Sequence, residues 1–133
     1  MEDSLLFKNI EDLTIKRDRL LRKLRKKVDE LKGNTSYYKK LKPALKEVSR
    51  LRKALLKTLG NVERGNVSEE YKELINTLLE FSLLVAAEEE LEILQEIRQK
   101  LNTMDTDEDE LNFIEQEIAS VENLKGKLKE ILS

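Results

Sequence analysis

Six cations, Lys39, Lys42, Lys46, Arg50, Lys53 and Lys57, recur at steps of three or four residues. In a helix that spacing gathers them on one side, in a stripe roughly 27 Å long. The chemistry open to such a stripe is electrostatic. It can dock on the carboxylates of another protein, or on successive phosphates of a nucleic acid with a strong dependence on salt. Leu41, Leu45, Val48, Leu55 and Leu59 take the opposite side, so a bundle that buries the leucines turns the cations outward. Arg19, Lys23 and Lys26 extend the basic surface onto the preceding helix. The plain alternative is a solvated helix face, but such faces usually alternate in sign. Here only Glu47 offsets the charge. Tyr37 and Tyr38, at the start of the stripe, can either stack on bases or pack as a hydrophobic staple.

The inventory for catalysis is thin. The chain has no His, no Cys and no Trp. Nucleophilic or acid–base chemistry would rest on Lys, Ser, Tyr or carboxylates in a pocket that no motif marks. No catalytic residue, cofactor or small-molecule substrate is therefore assigned, and the chain reads as a non-enzyme. The run Asp105 to Glu110 opens like a calcium loop, with carboxylates at alternate positions. Its sixth position is Glu110 instead of Gly and its twelfth is Gln116 instead of a bidentate Glu, so acids at a helix N-terminus explain it better. Gly60 and Gly65 have the interval of a phosphate loop, but Asn66-Val67 stands where Lys and a hydroxyl residue are required. Glu89, Glu92 and Glu96 share one side of a helix, yet a dinuclear carboxylate site also needs His, so they read as a solvated acidic face. No metal site is assigned.

The elements that carry these residues are all helical. Charged residues make up 39% of the chain, with one Pro and four Gly, and every long apolar segment repeats with period three to four. This predicts an all-α fold, an antiparallel helical bundle of about four helices with a long central third helix. Residues 1–133 form one domain, with a basic helical hairpin over 4–59 and an acidic one over 68–132.

The first helix is expected from Ser4 to Lys32, stopped by Gly33-Asn34, with Leu6, Ile10, Leu13, Leu20, Leu24 and Leu31 inward. The second is capped by Thr35 or Ser36 and reaches Leu59. Pro43 either kinks it near Lys39–Lys40 or moves its start towards Lys42. Arg17 and Arg52 fall in the apolar seams of these two helices and must find carboxylates or carbonyls, or lie at an edge with their stems buried.

Residues 60–67 form the connector to the third helix, which runs from Ser68 to Leu101, roughly 50 Å. Its stretch Leu78–Ala87 is apolar almost all round, which predicts burial on more than one side. Tyr71, Leu74, Ile75, Leu78, Ser82 and Val85 line one face. Leu79, Leu83, Ala86, Ile93, Ile97 and Leu101 line another, a third of a turn away. Thr106 with Asp109 approximates a capping box for the fourth helix, whose inward side is Ile114, Ile118, Val121, Leu124 and Leu128. Gly126 predicts fraying after Lys125. The length of the third helix leaves open a distal hairpin that projects or pairs with a second copy.

Charge divides the chain. Residues 1–66 hold 19 Lys+Arg against 9 Asp+Glu, and residues 67–133 hold 6 against 18. Such asymmetry points to partners. The first expectation is an assembly subunit presenting its cationic face to an acidic protein partner or to another copy of itself. The alternative is a nucleic-acid-binding accessory protein that uses the same cations on the DNA or RNA backbone. About ten apolar residues do not span a bilayer, and Met1-Glu2-Asp3 is acidic where a secretory signal is basic, so a cytoplasmic location is expected. Abundant Lys and Glu is also the composition reported for heat-adapted proteins.

Overall fold

The third helix runs unbroken for 34 residues. In the computed structural model, which describes residues 2–30, 35–63, 67–104 and 106–133, α1 spans Glu2–Asp29 and α2 spans Thr35–Glu63. The long helix comprises α3 (Glu69–Leu78), a π turn (Leu79–Leu83) and α4 (Leu84–Asn102), and α5 spans Glu108–Leu132. Among the described residues there are no strands, and the chain is an all-α bundle of four helices with a long third one.

Ion pairs give the helix directions. Arg17 meets Glu90, Arg25 meets Glu96 at 2.8 Å, and Lys100 Nζ donates to the Val28 carbonyl at 2.8 Å. Residue numbers rise together, so α1 and α4 run parallel. Lys42–Glu110 and Ser49–Glu117 show the same for α2 and α5. Arg98–Glu115 and Glu88–Lys125 run in opposite senses, as an antiparallel α4–α5 hairpin requires. The two antiparallel hairpins thus lie side by side, α1 on α4 and α2 on α5. Ile97 and Leu101 are fully buried, so the distal third helix lies within the bundle and does not project. Lys100 also satisfies one of the last carbonyls of α1, which no intrahelical donor reaches.

The core repeats the apolar periodicity. Ile10, Leu21, Leu24 and Val28 of α1 meet Leu41, Leu45, Val48, Leu55 and Leu59 of α2, with Ile114, Val121, Leu124 and Leu128 from α5. Each such aliphatic side chain contributes about 1.5–3 kcal/mol when fully buried. Leu21 and Val28 are buried in this set, while Leu6, Leu13 and Leu20 are only partly buried against it.

Several boundaries differ from those expected. The second helix is continuous through the exposed Pro43 and starts at Thr35 instead of near Lys42. It also continues beyond Leu59 through Gly60 to Glu63. The residue that caps α5 is Asp107, in extended conformation with no side-chain cap bond, and not Thr106, whose Oγ1 is buried without a partner. Helix α5 runs through Gly126 to Leu132, held by Leu128 in the core. The expected stop at Gly33-Asn34 lies outside the described residues, as do the side chains of Thr35, Ser36 and Tyr37.

The largest departure lies at the π turn. Ile75, Leu79, Leu83 and Ala87 are buried at successive steps of four. In an α-helix each such step overshoots a full turn by about 40°. Leu84 N–H donates to the Leu79 carbonyl, five residues back, and this wider turn keeps the buried line facing inward. Phe81 and Val85, each two residues beyond a member of that line, lie on the opposite side of the helix and are 70% and 58% exposed. The stretch expected to be buried on several sides is buried on one.

Candidate interaction surfaces and the buried charge network

The stripe on α2 survives folding in part. Lys39, Lys46, Lys53 and Lys57 are exposed and form no ion pair with a described residue, and Arg19, Lys23 and Lys26 on α1 are likewise exposed. Lys42 and Arg50 are already matched. Lys42 Nζ donates to Glu110 Oε1 at 2.8 Å and lies 5.6 Å from the centroid of the Phe113 ring. Arg50 donates through Nε to Glu47 Oε2 at 3.1 Å and through Nη2 to Oε1. That contact holds the Glu47 carboxyl below its usual range and the guanidinium above its own. The cationic face is therefore narrower than six consecutive charges.

Tyr38 is buried and so is removed from any stacking role. Burial drives its phenol well above the usual range, and the neighbouring Glu110 carboxylate adds to the effect. The Tyr38 hydroxyl and Glu110 Oε2 are both buried without closing a hydrogen bond. Lys42 in turn holds the Glu110 carboxyl below its ordinary value, against the opposing effect of desolvation and with help from Tyr38.

Arg17 and Arg52 find carboxylates. Arg52 donates through Nε and Nη2 to Glu90 Oε1, at 3.1 and 2.6 Å, and through Nη1 to Glu117 Oε2 at 2.6 Å. Arg17 donates through Nη2 to Glu90 Oε2, and the Ser49 hydroxyl donates to Glu117 Oε2 at 3.2 Å. All four charged side chains are buried, and each comes from a different helix, α1, α2, α4 and α5. Desolvation opposes the charge on Arg52, but Glu90 and Glu117 outweigh it and raise its pKa. The formal charges cancel, yet Nε and Nη1 of Arg17 are left buried without acceptors, which makes the network costly as well as specific.

The carboxylates of this network went unassigned in the sequence, where Glu89, Glu92 and Glu96 drew attention as a solvated face. Glu89 and Glu92 are exposed, but Glu96 is partly buried against Arg25. The signal for the right residues was present. Two seam arginines demand seam carboxylates, and Glu90 sits on the buried line between Ala87 and Leu94, as Glu117 does between Ile114 and Val121.

The second feature that sequence reasoning missed is an apolar outer stripe. Leu74, Phe81 and Val85 are exposed and Leu78 is half-buried, at steps of four, three and four along the third helix. Phe81, Ser82, Val85, Ala86 and Glu89 form one wall of a groove of about 190 Å³, and Asp18, Leu21 and Arg22 of α1 form the other. Burial raises the Asp18 carboxyl above its usual value, Arg17 and Arg22 pull it down, and Glu89 adds to the rise.

Among the described residues no group of three or more acidic side chains is placed to hold a metal ion. No described helix is long and apolar enough to cross a membrane. Comparison with models of known families, with curated proteins and with solved structures yields no match for this chain.

Proposed function

We propose that the protein is a non-catalytic helical assembly subunit whose α1–α2 face docks on an acidic helical surface, carried by a partner protein or by another copy of this chain. The observation that carries the reading is the set Lys39, Lys46, Lys53 and Lys57, exposed along one side of α2 and in no direct ion pair with a described carboxylate, with Lys46 near enough to Glu110 to help lower its carboxyl. The acids that lie nearest are already committed, Glu110 to Lys42 and Glu47 to Arg50. A surface of one sign, left over after internal pairing, steers an oppositely charged partner and sets its register. The absence of His and Cys from the sequence supports a binding role over catalysis.

Phosphates are the competing ligand for the same cations. The burial of Tyr38 removes an aromatic platform from the face, which favours carboxylates over single-stranded nucleic acid. The test is a gel shift with single- and double-stranded DNA and RNA beside pull-down from the native source and light scattering at low and high salt. The reading expects an acidic protein or a salt-sensitive oligomer, lost in K46E/K53E, with no shift of nucleic acid. A shift of nucleic acid that the same charge reversal abolishes, with no protein captured, would replace it.

A further inference from the structure

The groove beside the third helix lies on a different part of the bundle from the α2 cations, and its chemistry is the reverse. Leu74, Leu78, Phe81 and Val85 recur at i, i+4, i+7 and i+11 and cover three helical turns. Ser82 and Ala86 are small, so a large side chain of a guest helix can sink between Phe81 and the α1 wall. The surroundings are acidic. Glu73, Glu80, Glu89 and Glu92 are exposed on the same helix, Glu88 being turned to Lys125 of α5, and Lys72 is its only cation before Arg98. Asp18 faces the groove from α1, with Arg22 the one cation on that wall.

We infer that this groove binds an amphipathic basic helix of a partner protein, whose apolar side covers Phe81 and Val85 and whose lysines or arginines meet the flanking glutamates. Charge complementarity selects this occupant over the others. A second copy paired through the same stripe would set these glutamates against their own images, and like charges across an interface oppose association. The α2 face of another copy is basic but offers no exposed large apolar side chain to cover Phe81, and the two on α1, Leu5 and Ile15, are ten residues apart and do not share one helix face. An anionic membrane surface would be repelled by the same acids. The pocket thus gives the chain a second docking surface of opposite preference, independent of the cationic face.

The probe is a fluorescent helical peptide with leucines at i, i+4, i+7 and i+11 and lysines on its flanks, followed by anisotropy. Controls are a scrambled peptide of the same composition and one with glutamate in place of lysine. The lysine peptide is expected to bind at least about tenfold more tightly than either control. Phe81→Ser with Val85→Ser should weaken it by about tenfold or more, since exposed aromatic anchors dominate such interfaces. These positions are outside the core, and a melting curve reports whether the variant is folded. E80K/E89K, which keeps the apolar stripe, should transfer preference to the glutamate peptide. K46E/K53E should leave binding unchanged, which separates this site from the cationic face. Equal binding of the scrambled peptide, or indifference to the Phe81 and Val85 changes, overturns the inference. So does a wild-type dimer that Phe81→Ser converts to monomer, or uptake of the chain onto phosphatidylserine vesicles.

Discussion

Glu90 accepts two hydrogen bonds from Arg52 on one carboxylate oxygen and one from Arg17 on the other, and so ties α1 and α2 to α4 at a single buried point. Neither arginine has another route to neutrality at that depth, apart from the contact of Arg52 with Glu117.

Glu90→Gln should therefore destabilise the bundle by about 3–5 kcal/mol in urea denaturation, because it strands buried guanidinium charge. Replacing the whole set, with Arg17→Met, Arg52→Met, Glu90→Leu and Glu117→Leu, should recover that loss or exceed it by about 1–4 kcal/mol. If the fourfold variant is as unstable as the single one, the network is a net source of stability rather than a device for aligning four helices.

Stability should fall at both extremes of pH through one cluster. Glu110 has a lowered carboxyl, so its contribution is present above the ordinary 4.5 and disappears as pH falls through the folded value. Tyr38 has a raised phenol, so its contribution is complete below the ordinary 10.0 and disappears as pH rises towards the folded value. Melting curves of Glu110→Gln should lose less than the parent on acidification, and those of Tyr38→Phe less on alkalinisation. At neutral pH Tyr38→Phe should cost no more than about 1 kcal/mol, since its buried hydroxyl lies beside Glu110 without closing a well-formed hydrogen bond.

Gly126 sits in the interior of α5, and a Cβ added there meets nothing within 4 Å. Gly126→Ala should stabilise the protein by about 0.5–1 kcal/mol, mainly by restricting the unfolded chain. A rise of roughly 2–5 °C in Tm would register it. No rise would mean that the last turns of α5 are already frayed in solution.

What the sequence made legible was whatever repeats at the period of a helix. The inward leucines of α2 and the inward face of α5 all fall where periodicity places them, because one apolar stripe per helix leaves a single way to bury it. The charges in the seams were harder. Arg17 and Arg52 were visible as misfits, but pairing them needs helix directions, and the parallel contacts of α1 with α4 and of α2 with α5 depend on how two hairpins meet. Phe81 and Val85 failed for another reason. A hydrophobic run with no polar face looks buried throughout, but the neighbouring helices cover only the side of Leu79 and Leu83 and leave the opposite one to solvent.

The same widened turn marks where the chain tolerates a change of length. A residue removed from an ordinary helix swings everything beyond it by about 100°. Excision of Glu80, by contrast, would let residues 79–83 close into regular α-helix and leave Glu90 still aimed at its two arginines. The third helix thus has one place where an insertion or deletion is absorbed locally, and melting curves of that deletion against one at Gln95 would show the difference.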